Sequence, residues 1–249
     1  MGGGQFNGHL SLLRGDSIKL LADNARFASA SVDLILTDPP WNITECVWER
    51  PLDLAAMFAG FTRVLKKNGV LLIFSQLPFT ISLANAAKTA GIPLRYEWVW
   101  DKRKVTGYLN ANRIPLRRHE SILVFYRALP TYNPQGLIDS VPKRRSSDSA
   151  VYHRVRAGAQ GSKSRFPTSI LPYPPAHGAK ACQKPVELLE YLIRTYTHEG
   201  ETVLDAFLGT GQTAVAAYAA GRRFIGIEIN RERFDAAWDL AADARKVAA

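Results

Sequence analysis

The sequence contains little cysteine, no long apolar run and, across one basic stretch, no acidic residue at all. Its two cysteines, Cys46 and Cys182, match no metal-ligand or disulfide spacing, which suits a reducing compartment. The apolar runs are far shorter than the ~20 residues that a membrane-spanning helix needs. No secretory signal pattern is visible at the start. We therefore expect a cytoplasmic protein with no metal site and no membrane contact.

The basic residues are concentrated in two segments. Residues 102–118 carry six Lys or Arg and no acid, and residues 142–166 carry seven Lys or Arg and one acid, in a chain of net charge +10. Such local excess favours a polyanionic partner. A solvated, flexible face is the alternative interpretation of the same charges.

Short apolar runs alternate with amphipathic helical patterns along most of the chain. Several runs are continuous, which is typical of strands covered on both faces. The helical patterns lie around residues 54–65, 188–196 and 234–241. This alternation predicts an α/β fold with a mostly parallel seven-stranded sheet and helices on both faces. The seven predicted strands are Leu10–Leu13, Val32–Leu36, Val70–Phe74, Glu97–Trp100, Ile122–Tyr126, Thr202–Leu204 and Phe224–Ile229.

Residues 128–181 interrupt this alternation. They are rich in Pro, Ser, Gly, Lys and Arg, with scattered aromatic residues. A segment this long is either functional or disordered. Cations that contact phosphate and rings that stack on bases favour a nucleic-acid contact region.

A glycine loop near the end of the chain favours a nucleoside cofactor. The stretch 202–230 has the pattern of a strand, a loop with Gly209 and Gly211, a helix and a second strand ending in Glu228. Glycines allow close approach of the backbone to a ligand, and a carboxylate at the second strand end can accept ribose hydroxyls. The third position of the dinucleotide fingerprint is Ala214, so this loop favours S-adenosylmethionine over NAD or FAD. A purely structural turn remains the third interpretation.

An Asp-Pro-Pro-Trp motif lies at the end of the second predicted strand. Asp205, at the end of the strand that precedes the glycine loop, follows Asp38 by 167 residues, and with both motifs in this order the chain resembles the β-class of amino-methylating DNA methyltransferases over nearly its whole length. That family carries the two motifs in this permuted order on a Rossmann-like methyltransferase fold. The resemblance makes residues 1–127 the catalytic half, 128–181 a target-recognition insertion and 182–249 the cofactor-binding half.

The resemblance also implies which residues bind S-adenosylmethionine. Asp16 matches an acid near the adenine, and Gln183, Lys184 and Pro185 match a motif associated with the methionine end. Ala206 and Lys180 stand where the family commonly has Pro and His. The expected cofactor-binding residues are Asp16, Asp38, Gln183, Lys184, Pro185, Asp205, Phe207, Gly209, Thr210, Gly211, Glu228 and Asn230.

The four residues of the motif, Asp38, Pro39, Pro40 and Trp41, are the expected catalytic group. An exocyclic amine is a poor nucleophile because its lone pair is delocalised into the ring. Acceptors on both N–H bonds, the Asp38 carboxylate and the Pro39 carbonyl, would free that lone pair, and the prolines hold the carbonyl in place. Trp41 offers a face for a flipped base, although a packed core aromatic is the alternative.

The expected activity is site-specific N6-adenine methylation of double-stranded DNA. N4-cytosine methylation is an alternative, although family members with that activity usually carry Ser at the position of Asp38. RNA adenine methylation, a Rossmann oxidoreductase and a non-enzymatic binding module are further alternatives, whereas a zinc deaminase would need a C-x-x-C pair that is absent. A homodimer is possible by resemblance. The expected DNA-binding residues are Arg144, Arg145, Arg154, Arg156, Lys163 and Arg165.

Overall fold

The computed structural model describes residues 3–6, 9–41, 52–139, 163–175 and 183–247. It contains six α-helices and eleven strands within those ranges, together with one 3₁₀ turn at Tyr108–Asn110. The helices are α1 Ser17–Ala22, α2 Leu54–Val64, α3 Phe79–Thr89, α4 Val186–Tyr196, α5 Gln212–Ala219 and α6 Arg231–Val247. The strands are β1 Gly3–Phe6, β2 Leu10–Arg14, β3 Val32–Thr37, β4 Leu65–Ser75, β5 Leu94–Thr106, β6 Arg117–Phe125, β7 Ile138–Asp139, β8 Lys163–Ser164, β9 Ile170–Leu171, β10 Thr202–Asp205 and β11 Arg223–Glu228.

Nine of these strands form one sheet in the order β1-β2-β11-β10-β3-β4-β6-β5-β9. The seven predicted apolar runs are its central strands, and the short strands β1 and β9 extend its two edges. Strands β2, β11, β10, β3 and β4 are parallel to one another, whereas β6 runs antiparallel between β4 and β5. The predicted α/β class with a mostly parallel sheet is confirmed.

Alternate residues of β2, β3, β4, β6, β10 and β11 pack into two different cores, whereas β5 contributes Trp98 and Trp100 to one of them. Leu34 and Leu36 belong to a cluster with residues of α4, α5 and α6, whereas Ile35 belongs to a cluster with residues of α1, α2 and α3. Covering both faces of the sheet explains why the strand sequences are continuously apolar. Within the described residues, no helix combines the length and apolar character that crossing a membrane would need.

Strand β3 is fixed to its neighbours at both ends. At its start, the buried Asp33 carboxylate accepts the Thr202 N–H at 3.0 Å and a Lys66 Nζ hydrogen bond at 2.7 Å. At its end, the Thr37 hydroxyl donates to Asp205 at 2.7 Å. These contacts hold the strand that leads into the Asp-Pro-Pro-Trp motif between β10 and β4.

The chain divides into two compact units. The larger comprises Met1–Asn133 and Ser169–Ala249, and the smaller is Pro134–Thr168, which lies within the predicted insertion 128–181. Strands β7 and β8 pair antiparallel in the smaller unit. The flanking residues belong to the larger unit, because the Asn133 N–H donates to Thr195 and β9 pairs with β5.

Candidate active site

The parallel strands bring the predicted motifs to one edge of the sheet. β2, β11, β10 and β3 are adjacent in that order, so their carboxyl ends share an edge. Asp16 follows β2, Glu228 ends β11, Asp205 ends β10 and Asp38 follows β3. The Gly15 N–H donates to the Glu228 carbonyl at 2.9 Å, which fixes the first two of these positions beside each other.

Asp38 is joined to a chain of alternating charges. The Lys184 ammonium donates to Asp38 Oδ2 and lies 3.5 Å from Glu120 Oε2. Lys102 donates to Glu120 Oε1 at 3.1 Å. Asp38 Oδ1 and Glu120 Oε2 are buried and accept no hydrogen bond from the described residues. The Asp38 carboxylate therefore has Oδ2 held by Lys184 and Oδ1 without a donor among the described residues.

Three aromatic rings surround the Lys184 ammonium. Its Nζ lies 4.9 Å from the Phe74 ring centroid, 5.6 Å from Trp41 and 5.9 Å from Trp100. The Trp41 indole N–H donates to the Phe74 carbonyl at 3.2 Å, and the ring is only partly buried. Ring faces and carboxylates together stabilise the cation in this site. The indole is held in place, as a packed core aromatic would be, and it retains some exposure, as stacking on a flipped base would require.

Burial raises the pKa of Asp38 above its ordinary value. The charge of Lys184 opposes that shift most strongly, Glu120 adds to it and Arg233 opposes it. A buried carboxylate favours its neutral form unless a cation compensates. Lys184 is therefore the principal group that favours the ionised form of Asp38.

Asp205 links β3 and β10, the strands that lead into the Asp-Pro-Pro-Trp motif and the glycine loop. Its Oδ1 accepts the Thr37 hydroxyl at 2.7 Å and the Phe207 N–H at 3.0 Å, and its Oδ2 accepts the Thr213 hydroxyl at 2.7 Å. Burial raises the pKa of Asp205 to about 6. Both oxygens thus contact protein donors, and the carboxylate connects β3, β10 and the first turn of α5.

The first glycine of the loop lies next to open space. Gly209 has φ +58°, and a Cβ there would meet no atom of the described residues within 4 Å. Its N–H donates to Glu228 Oε2 at 2.8 Å, while Glu228 Oε1 accepts the Asn230 N–H at 2.8 Å. Burial raises the pKa of Glu228. Each of these oxygens retains a second lone pair, so the carboxylate can accept ribose hydroxyls beside an unobstructed backbone.

The second glycine has a different neighbour. Gly211 has φ +95°, and a Cβ there would lie 2.9 Å from Cα and 3.0 Å from Cβ of Ala237 in α6. Gly211 is therefore required for the close approach of α6. Both glycines are expected to approach the cofactor. Gly209 has the open surroundings that this role requires, whereas Gly211 packs against α6.

The segment before α4 contacts the glycine loop. Gln183 donates through its amide to the Thr210 hydroxyl at 3.1 Å, and that hydroxyl donates to Gln212 at 2.9 Å. Pro185 begins α4 as its N-cap residue. These contacts bring the predicted methionine-end motif beside the glycine loop. Lys184, the middle residue of that motif, bonds to Asp38.

Two other predicted cofactor residues cap helices. Asp16 caps α1 by accepting the Ile18 N–H at 3.0 Å, and Asn230 Oδ1 accepts the Arg233 N–H at 3.0 Å at the start of α6. Phe207 packs against the core cluster that contains α1, α2 and α3. Each cap uses only part of the hydrogen-bonding capacity of the carboxylate or amide, which leaves the rest for a ligand. The role of Asp16 and Asn230 in cofactor binding stays a prediction.

The predicted DNA-binding residues belong mainly to sequence outside the described residues, where Arg144, Arg145, Arg154 and Arg156 all lie. Lys163 is in β8, and Arg165 is exposed with φ +61°.

Sequence reasoning missed Glu120, Lys102, Phe74 and Trp100 as parts of the site. Glu120 lies in β6 just before the buried residues 122–125, and an acid beside a buried strand segment is the signal that could have identified it. The two aromatic residues gave no signal, because each also fits an ordinary core position.

The comparison with known proteins identifies the family. A sequence profile of the N6/N4 methyltransferases, described as DNA methylase, matches residues 32–239. The chain belongs to this DNA methyltransferase family. Over 241 residues it is 30% identical to the DNA adenine methyltransferase YhdJ of Escherichia coli (strain K12), spanning 89% of this chain and 79% of that protein. The predicted amino-methyltransferase family is confirmed.

Solved methyltransferase structures share the fold. The M1.HpyAVI–SAM complex superposes with a TM-score of 0.66 at 22% identity, covering 92% of this chain and 98% of that one. The cytosine-N4-specific PvuII DNA methyltransferase gives a TM-score of 0.67 at 16% identity, covering 96% of this chain and 92% of that one. Methyltransferases of this family use S-adenosylmethionine.

Gly211→Ala should destabilise the protein more than an equivalent substitution at an open glycine. It combines positive-φ strain with a clash against Ala237, so we expect a loss of about 2–4 kcal/mol in the free energy of unfolding. Gly107→Ala is the control, since Gly107 has φ +91° and a Cβ there would have no described neighbour within 4 Å. Its loss should be about 1 kcal/mol, from backbone strain alone. Urea unfolding of both variants measures the difference, and equal losses would refute the role of Ala237.

Proposed function

We propose that this DNA methyltransferase transfers a methyl group from S-adenosylmethionine to the N6 amine of adenine in DNA. The observation that carries this proposal is the buried Asp38 Oδ1, which accepts no hydrogen bond from the described residues. It lies at the same sheet edge as the open backbone at Gly209 and the Glu228 carboxylate. An acceptor for an amine and a nucleoside site are thus adjacent.

The residues at this edge fit the cofactor. Glu228 would accept the ribose hydroxyls, and the space beside Gly209 would admit the nucleoside close to the backbone. Asp16, at the end of the neighbouring strand, would lie towards the adenine, and Gln183 towards the methionine. S-adenosylmethionine supplies an electrophilic methyl group on a sulfonium sulfur, so transfer forms one N–C bond and breaks one C–S bond.

Asp38 and Pro39 would activate the target amine. Asp38 Oδ1 would accept one N–H and the Pro39 carbonyl the other, so that the nitrogen lone pair leaves conjugation with the ring. The Asp38 charge would also stabilise the cation that develops on that nitrogen. The surplus proton leaves the methylated amine afterwards. Trp41 would stack on a base extruded from the duplex.

Lys184 acts in this proposal by keeping Asp38 ionised. Its bond to Oδ2 leaves Oδ1 for the amine, and its charge offsets the burial that would protonate the carboxyl. Glu120 holds Lys184 from the other side at 3.5 Å, and Lys102 neutralises Glu120 in turn. Lys184 and Glu120 are therefore positioning residues for the catalytic carboxylate.

Adenine is preferred over cytosine as the target for two reasons. Asp38 occupies the position where the cytosine enzymes of this family usually carry Ser, and the relative YhdJ is a DNA adenine methyltransferase. The same acceptors could serve the N4 amine of cytosine, and the PvuII enzyme with that specificity shares the fold.

Product analysis distinguishes the two bases. Unmethylated DNA incubated with the protein and S-adenosylmethionine should yield N6-methyladenine when its nucleosides are separated by mass spectrometry. Protein with Asp38→Ala is the background control. N4-methylcytosine as the sole product would refute the adenine assignment and retain the family.

Asp38→Ala and Gly209→Val should fail at different steps. Asp38→Ala should abolish turnover while the dissociation constant for S-adenosylhomocysteine changes by less than about tenfold, or ~1.4 kcal/mol. Gly209→Val fills the open space at the loop, so it should lose cofactor binding and turnover together.

Calorimetric titration measures the binding of both variants. Gly91→Val is the matched control for strain, because Gly91 has φ +74° and a Cβ there would lie within 4 Å of no atom in the described part of the chain. Gly91 lies between α3 and β5, outside the candidate site. Near-normal turnover in Asp38→Ala would mean that the motif only ends a strand.

Changing the neighbours of Asp38 should shift the pH dependence of activity. Lys184 lowers the pKa of Asp38, so Lys184→Met should raise that pKa and move the acid limb of kcat/KM to higher pH. Glu120 raises the pKa, so Glu120→Gln should move the acid limb to lower pH. Lys184→Arg keeps the charge and should largely retain the wild-type limb. Shifts of the opposite sign would contradict the assignment of Asp38 as the group that must be ionised.

A further inference from the structure

The hairpin between β5 and β6 forms a basic arm, which we define as residues 102–118. It carries six Lys or Arg and no acid. Residues 106–115 are all exposed, and the arm turns through the 3₁₀ segment Tyr108–Asn110. Two large apolar side chains lie at this turn, with Tyr108 67% and Leu109 101% exposed. The arm thus combines a cationic shaft with an apolar tip.

The arm leaves the sheet at the edge where Asp38 lies. β3 is parallel to β4, β4 is antiparallel to β6, and β6 is antiparallel to β5, so β5 and β3 end at the same edge. The base of the arm contacts the active site directly. Lys102 bonds to Glu120, which lies beside the Lys184 that holds Asp38. A partner whose base reaches Asp38 would therefore meet the arm.

Half of the arm's cations are engaged within the protein. Lys102 bonds to Glu120, Arg117 donates to Gln76 at 2.7 Å, and Arg118 forms two hydrogen bonds with Asp101. These bonds fix the base of the hairpin.

The other half face outward. Arg103, Lys104 and Arg113 are exposed, and their side chains make no hydrogen bond or ion pair with the described residues. Arg103 lies in an irregularity between Asp101 and Thr106, where its φ is +51°. Such bulges redirect side chains and occur next to active sites.

We propose that the arm binds duplex DNA beside the target base. Arg103, Lys104 and Arg113 contact phosphates, and Tyr108 and Leu109 contact base edges or a base step in the groove. Cations supply affinity for the phosphate backbone, and apolar side chains are the groups that proteins insert between bases. This inference rests on the proposed function, because it takes DNA as the substrate of the adjacent site.

Removing the outward charges should weaken the salt dependence of binding. The variant Arg103→Gln/Lys104→Gln/Arg113→Gln is compared with wild type by fluorescence anisotropy on a labelled duplex of mixed sequence. For each phosphate that the variant no longer neutralises, the log–log salt slope should flatten by about 0.9. The matched control is Arg26→Gln/Lys67→Gln/Lys88→Gln, which removes equal charge from exposed positions near the opposite edge of the sheet. Equal slopes for the two variants would overturn the proposal.

Replacing the tip should have a different signature. Tyr108→Ser/Leu109→Ser should bind duplex at least about threefold more weakly at every salt concentration with an unchanged slope, because apolar contacts release no counterions. Both side chains are exposed, so the thermal transition should not change. Undiminished affinity overturns the role of the tip. A decrease in self-association by gel filtration, with undiminished DNA affinity, would identify the tip as an interface between copies of the chain and likewise overturn it.

Two further measurements separate this proposal from others. If the charge variant loses affinity for duplex RNA and none for duplex DNA, the assignment to DNA is overturned. Methyl transfer from labelled S-adenosylmethionine to unmethylated DNA tests the proposed function independently with the wild-type protein. If methyl transfer fails and the salt slope of the charge variant changes as expected, the proposed activity is refuted and the DNA-binding role of the arm is retained. If transfer is normal and the slope is unchanged, only the role of the arm is refuted.

Discussion

The pairing of Lys184 with Asp38 is the interaction on which the site depends. A buried carboxylate without a cation favours protonation, and a protonated carboxyl could no longer offer two acceptor oxygens. The lysine that prevents this precedes α4, far along the chain from Asp38. It is itself held by Glu120 and by the rings of Phe74, Trp41 and Trp100. Removing one partner would leave a buried charge uncompensated, so these residues act as a unit.

The backbone around the Lys184–Asp38 pair is also held by a small number of residues. Asp205 receives donors from β3, its own loop and α5, so one carboxylate sets the spacing between the two motif strands. Gly211 then admits α6 against the loop, while Gly209 remains open. The two glycines of one short motif thus differ in their surroundings, since Gly211 packs against α6 and Gly209 lies beside open space.

The sequence predicted those features that local patterns determine. Continuous apolar runs identified the seven central strands, and the strands that lead into the Asp-Pro-Pro-Trp and glycine motifs are neighbours in the sheet, at the edge that carries the candidate site. The charge chain was not predictable, because Lys184 meets Asp38 and Glu120 only through the tertiary fold. The family resemblance associated Lys184 with the methionine end and gave no indication of its bond to Asp38. The outer parts of β5 and β6 were also missed, since their exposed residues have no apolar pattern.

The order of the motifs along the chain has a consequence for how the site is held together. Asp38 and the glycine loop belong to chain segments on either side of Pro134–Thr168. Apart from the backbone through that unit, they are joined by non-covalent contacts, chiefly the β3–β10 pairing, the Thr37–Asp205 bond and the Lys184–Asp38 pair. Cleavage within residues 134–168 would thus produce two fragments, each with one of the two motifs. The proposed activity would then depend on fragment concentration, as in a split enzyme reconstituted by complementation.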